Sequence, residues 1–87
     1  MKGFPVVSPS SALVDRVVAA FRHALEGRDD GRTLQVRFRD LHALGGPRPN
    51  LFALVLNAHR AVVEERLGRR VRYHVGEGVA YVGGRSE

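Results

Sequence analysis

The chain has no cysteine and no tryptophan among its 87 residues. Without cysteine it holds no disulfide, no thiolate metal site and no cysteine nucleophile, a usage that suits an intracellular protein. Lysine is nearly missing as well: of fourteen basic residues only Lys2 is not arginine. The longest apolar run, Leu51 to Leu56, covers six residues, against the roughly 20 needed to cross a bilayer, so no membrane partner is expected. Pro5 and Ser8 interrupt the N-terminal apolar stretch before a signal-peptide core can form, and the expected location is cytoplasmic. The four histidines (His23, His42, His59, His74) have no i,i+4 or short-loop partner among themselves, and no HxH or HExxH occurs, so no metal site is expected. No glycine-rich phosphate loop opens a helix, and Ser8, Ser10, Ser11, Asp29 and Asp30 fit capping and turn roles. No catalytic residue, no cofactor and no enzyme activity are expected.

What is present is globular and basic. Apolar residues make up 44%, charged residues 26%, and the net charge is +5. The length fits one domain, 1–87, with 1–8 as an extended lead-in and 83–87 as a flexible tail. Arginine binds phosphate and guanine in two places, which favours a nucleic-acid partner. GC-rich codon usage produces the same bias, so composition alone does not establish the partner.

Periodicity divides the chain. Ser8 and Pro9 predict a helix start, and Leu13, Val17, Ala20, Phe21, Ala24 and Leu25 share one face of a helix ending before Gly27. A loop over 28–32 precedes a strand, 33–38, with Leu34, Val36 and Phe38 on its buried side. Asp40 caps a short helix holding residues 41–44, and Gly45-Gly46-Pro47-Arg48-Pro49 ends it. A second long helix runs from about Asn50 to Leu67, about 27 Å at 1.5 Å per residue, and stops at Gly68. Leu51, Leu54, Val55, Ala58 and Val62 form its expected core stripe; Asn50, Ala53, Asn57, Arg60 and Glu64 form the solvent or ligand stripe. Two strands, 70–75 and 79–82, close the chain around a Gly76-Glu77-Gly78 turn, with Val71, Tyr73 and Val75 inward. The predicted class is α+β, in the order helix-strand-helix-helix-strand-strand with a small antiparallel sheet, which is the order of a winged helix.

The run from His59 to Val82 resembles the end of the winged-helix effector domains of OmpR/PhoB-type response regulators. Arg66-Leu67-Gly68 and Gly78-Val79-Ala80-Tyr81 carry the resemblance, which spans about 24 residues of the 87. Glu64 and Glu65 depart from the basic or neutral helix of that family. The resemblance implies a winged-helix fold; the element order and the arginine cluster at the last helix and hairpin add the expectation of double-stranded DNA as partner, in a transcriptional regulator or architectural factor.

On that reading the helix at 50–67 enters the major groove and the hairpin at 70–82 acts as the wing. Asn50, Asn57 and Arg60, with His59 at their flank, would read bases. Arg48, Arg69, Arg70, Arg72 and His74 would meet phosphates. Residues 48–72 hold six arginines against two acids, Glu64 and Glu65. Arg60 and Glu64 also suit an i,i+4 pair on an ordinary solvated helix face. The alternative function is a protein–protein or dimerisation module without DNA contact. Its candidate interface is Phe52 and Leu56, which lie off the expected core stripe.

Overall fold

Val14, Val17, Val18 and Phe21 recur at intervals that line one side of a helix. They form it: α1 (Ser11–Leu25) buries these four residues and Ala20, with Leu13, Ala24 and Leu25 packed at the margin. A computed structural model of the chain describes residues 11–26 and 32–85. The expected helix start at Ser8, the lead-in 1–8 and the loop residues 28–31 lie outside the described residues.

After α1 come β1 (Leu34–Arg37), α2 (Phe38–Ala43), α3 (Pro49–Leu67), β2 (Arg69–His74) and β3 (Val79–Arg85). Among the described residues this is a small α+β fold of three helices and one three-stranded sheet, ordered β1-β3-β2, with both pairings antiparallel. Val82 pairs with Leu34 on one side and Val71 on the other; Ala80 pairs with Val36 and Tyr73. Side chains alternate across a strand, so these residues share the sheet face that packs on the helices. No helix among the described residues is long and apolar enough to cross a membrane.

Each helix contributes one phenylalanine to the centre of the core. Phe52 of α3 stacks on Phe38 of α2, ring centroids 5.5 Å apart and planes within 8°. It meets Phe21 of α1 edge-on at 6.2 Å and 89°. Offset-stacked and edge-to-face pairs are both favourable ring geometries. At the far end of α3, Arg66 Nη1 pairs with Asp15 Oδ1 at 2.6 Å, and Arg22 Nη2 donates to Arg66 O at 3.0 Å, fastening α3 to α1.

Several elements differ from the sequence expectation. Phe38 opens α2 instead of ending β1, and Asp40 sits in the first turn while Arg37 holds the cap position. The Phe38 amide donates to Gly78 O at 2.8 Å, and the helix begins three residues earlier than expected. The core stripe of α3 is displaced around its axis: Phe52, Val55, Leu56 and Val63 are buried, Leu51 and Leu54 are half-buried, and Ala58 and Val62 are exposed. A nearly continuous apolar run does not define its own inward face; the largest ring takes the centre. The helix also departs from helical geometry at His59 (φ −135°, ψ 31°).

Val75 is not inward but 62% exposed, because the turn takes four residues, Val75 to Gly78. Gly78 adopts φ 65°, a conformation open to glycine at little cost. The expected tail is partly strand: β3 continues to Arg85, and residues 86–87 lie outside the described residues. Arg69 pairs with Arg85 and Val71 with Val82, so Gly83 and Gly84 together face Arg70 in a β-bulge. The helix stop at Gly68 is as expected: it takes φ 66° and its amide donates to Glu64 O at 2.8 Å.

Candidate nucleic-acid interface

Strand alternation sorts the basic residues of β2. Arg69, Val71 and Tyr73 point inward; Arg70, Arg72 and His74 point out and are exposed. Arg69 is thus withdrawn from the expected set of phosphate contacts. It is 8% exposed, and its Nη1 donates to Gly83 O at 3.3 Å. The bulge turns that carbonyl toward the buried guanidinium.

Arg70, Arg72 and His74 line one open depression of about 540 Å³ together with Thr33, Tyr81 and Gly83. Its floor is the outer sheet face. Tyr81 sits in register between Arg72 of β2 and Gln35 of β1. The His74 ring meets Tyr81 in a T-shaped contact at 5.7 Å. Arg37 occupies the same face by parity and is exposed. Gln35, Arg37 and Tyr81 are missing from the sequence-derived set. Their outward parity was readable in each strand, but only the order β1-β3-β2 joins them to Arg72 and His74.

On α3, Asn50, Asn57 and Arg60 are exposed. Asn57 and Arg60 border a groove of about 360 Å³ that Tyr73 of β2 closes on the other side. Glu64 stands in the same groove but is held by the sheet, because its Oε2 accepts the Val71 amide at 2.9 Å. Among the described residues, Glu64 forms no ion pair with Arg60. Arg48, exposed at the cap position, and Asn50 in the first turn stand apart from both grooves.

Phe52 and Leu56 are withdrawn as a candidate protein interface. Both are fully buried, Phe52 between two other phenylalanine rings. The apolar residues that α3 does expose are Ala58, Ala61 and Val62. The histidines are dispersed: His42 Nδ1 donates to Gly46 O at 3.1 Å, His23 lies 3.6 Å from Glu26, His59 marks the kink and His74 meets Tyr81. Among the described residues no three of His, Cys, Asp and Glu gather to hold a metal ion.

No family model, no curated protein and no solved structure matches this chain.

Proposed function

We propose that the chain is a winged-helix domain that binds double-stranded DNA in the cytoplasm, as a transcriptional regulator or an architectural factor. α3 is the reading helix and the β2–β3 hairpin is the wing. The observation that carries the reading is the neighbourhood of two exposed sets. β2 is an edge strand packed beside α3: Asn57 and Arg60 border a groove with its inward-facing Tyr73, and Arg70 and Arg72 stand on its outward face. Arg60 suits guanine and Asn57 suits adenine, each in two contacts. Arg70, Arg72 and His74 suit the phosphates beside them. The element order supports the same reading, as does the net charge of +5.

A salt titration on a mixed-sequence duplex tests it. Affinity should fall steeply as salt rises, because each neutralised phosphate releases counterions. No duplex binding at low salt and micromolar protein would overturn the reading.

A second reading, a protein-interaction module, is favoured by one observation: Val62 is 45% exposed beside exposed Ala58 and Ala61. Light scattering on Val62→Glu separates the two. A dimer that this substitution splits, in a protein that binds no duplex, would support the protein-interaction reading.

A further inference from the structure

The outer face of the sheet carries more than a wing needs. It presents Gln35 and Arg37 from β1, Tyr81 from β3, and Arg70, Arg72 and His74 from β2. Neighbouring strands lie about 4.8 Å apart, so the β1 and β2 residues of one row are about 10 Å from each other with Tyr81 between them. Among the described residues no Asp or Glu stands on this face. Glu64 and Glu65 approach its Arg70 end, across a separate groove that also holds Arg69, and Glu77 lines a groove with Arg37 at the other end. The described acids thus lie only at the two ends of the face, and the middle, around Arg72 and Tyr81, is left for an anion supplied from outside.

The aromatic ring narrows the choice of anion. Tyr81 is half-buried at the middle of the face, and its contact with His74 at 86° occupies at most one side of the ring. A flat, uncharged ring flanked by arginines suits a ligand that joins planar groups to phosphates. Bases within a duplex are stacked on each other and cannot reach a ring on a sheet. Bases of a single strand can, and each stacked base contributes measurably to affinity. We infer that the outer sheet face binds single-stranded nucleic acid, with a base stacked on Tyr81 and phosphates held by Arg37, Arg70 and Arg72. The inference rests on the nucleic-acid reading above and shares Arg70 and Arg72 with it, but adds Tyr81 and Arg37, which the duplex reading does not use.

Fluorescence anisotropy of the full chain with two probes tests it: labelled oligothymidylate of about 20 nucleotides, and a mixed duplex of similar length. Tyr81→Leu keeps an apolar strand residue but removes the ring; Tyr81→Phe restores the ring. Leu should weaken single-strand binding at least about fivefold and Phe less than about twofold, with duplex affinity unchanged in both. Asn57→Ala with Arg60→Ala should do the reverse. Duplex binding without single-strand binding, or single-strand binding indifferent to Tyr81→Leu, overturns the inference and leaves the duplex reading standing. Tyr81-dependent single-strand binding without duplex binding supports the inference and overturns the duplex reading. Failure to bind either probe overturns both. Thermal unfolding checks the variants. If Tyr81→Leu does not fold, Arg37→Gln carries the test: it should lower the single-strand salt slope by about 0.7, and an unchanged slope overturns the phosphate contact.

Discussion

Gly46 and Phe52 approach so closely that a Cβ on Gly46 would lie 2.6 Å from Phe52 Cζ. The same Cβ would meet Leu41 O at 2.8 Å and Ala20 Cβ at 3.0 Å. The carbonyl belongs to α2 and cannot swing aside as a side chain could. Gly46 O meanwhile accepts Arg16 Nη2 at 3.3 Å and His42 Nδ1 at 3.1 Å. The turn between α2 and α3 is therefore fixed from both sides. Gly46→Ala should cost about 1–3 kcal/mol through overpacking. Gly76→Ala meets nothing within 4 Å, and should be neutral or slightly stabilising, by up to about 1 kcal/mol. Urea midpoints compare the two; equal midpoints would refute the close-packing argument.

Phe52 and Val62 are ten residues apart on α3 and have opposite environments, 0% and 45% exposed. Phe52→Ala should cost about 3–5 kcal/mol. A domain of this size has a total stability of about 4–13 kcal/mol, so the variant should be near unfolding at room temperature. Val62→Ala should change stability by less than about 1 kcal/mol. Thermal melts followed by circular dichroism measure both, and a Val62 variant as damaged as the Phe52 variant would contradict the displaced core stripe.

Much of the fold was legible because local signals agreed. The Gly68 stop, the alternation in Leu34–Arg37 and the spacing of Val17, Ala20 and Phe21 each have one physical interpretation. The face of α3 did not. Leu51 to Leu56 is apolar almost throughout, so two stripes fit the sequence equally, and the choice was made by Phe21 and Phe38, which are distant in sequence. The outward placement of Arg70, Arg72 and His74 was legible from strand parity. The burial of Arg69 was not, because it depends on the bulge at Gly83 and Gly84. Tyr81 was overlooked because only the strand order sets it between Gln35 and Arg72.

Glu64 closes an exposed strand edge. β2 is an edge strand of the sheet, and edge amides are free to pair with other chains. The Val71 amide is held instead by the Glu64 carboxylate at 2.9 Å. A hydrogen bond to a charged group contributes about 1.5–3 kcal/mol when sheltered; Glu64 is half-buried, so Glu64→Ala should cost about 1 kcal/mol. Glu64→Gln retains a neutral acceptor and should lose less. Amide hydrogen exchange gives the direct readout: Val71 should exchange at least about tenfold faster in the Ala variant, with Gln intermediate. Unchanged protection at Val71 would show that the carboxylate is not its partner in solution.

Arg69 and Arg70 are adjacent in sequence and should behave in opposite ways. Arg69 is buried against Gly83 O across the bulge, whereas Arg70 and Arg72 are exposed on the outer sheet face. Arg69→Ala removes a donor from a half-buried carbonyl and also the packed aliphatic stem, so it should lower stability by about 1–3 kcal/mol. It should leave the salt dependence of duplex binding as it was. Arg70→Ala combined with Arg72→Ala should change the melting temperature little, because exposed substitutions rarely exceed about 0.5 kcal/mol. If both side chains meet phosphates, the pair should reduce the slope of log affinity against log salt by about 2. Melting curves and salt titrations on the same preparations test both statements. A flattened slope in the Arg69 variant, or an unaltered slope in the double variant, would break the division of labour that the bulge imposes on these neighbouring arginines.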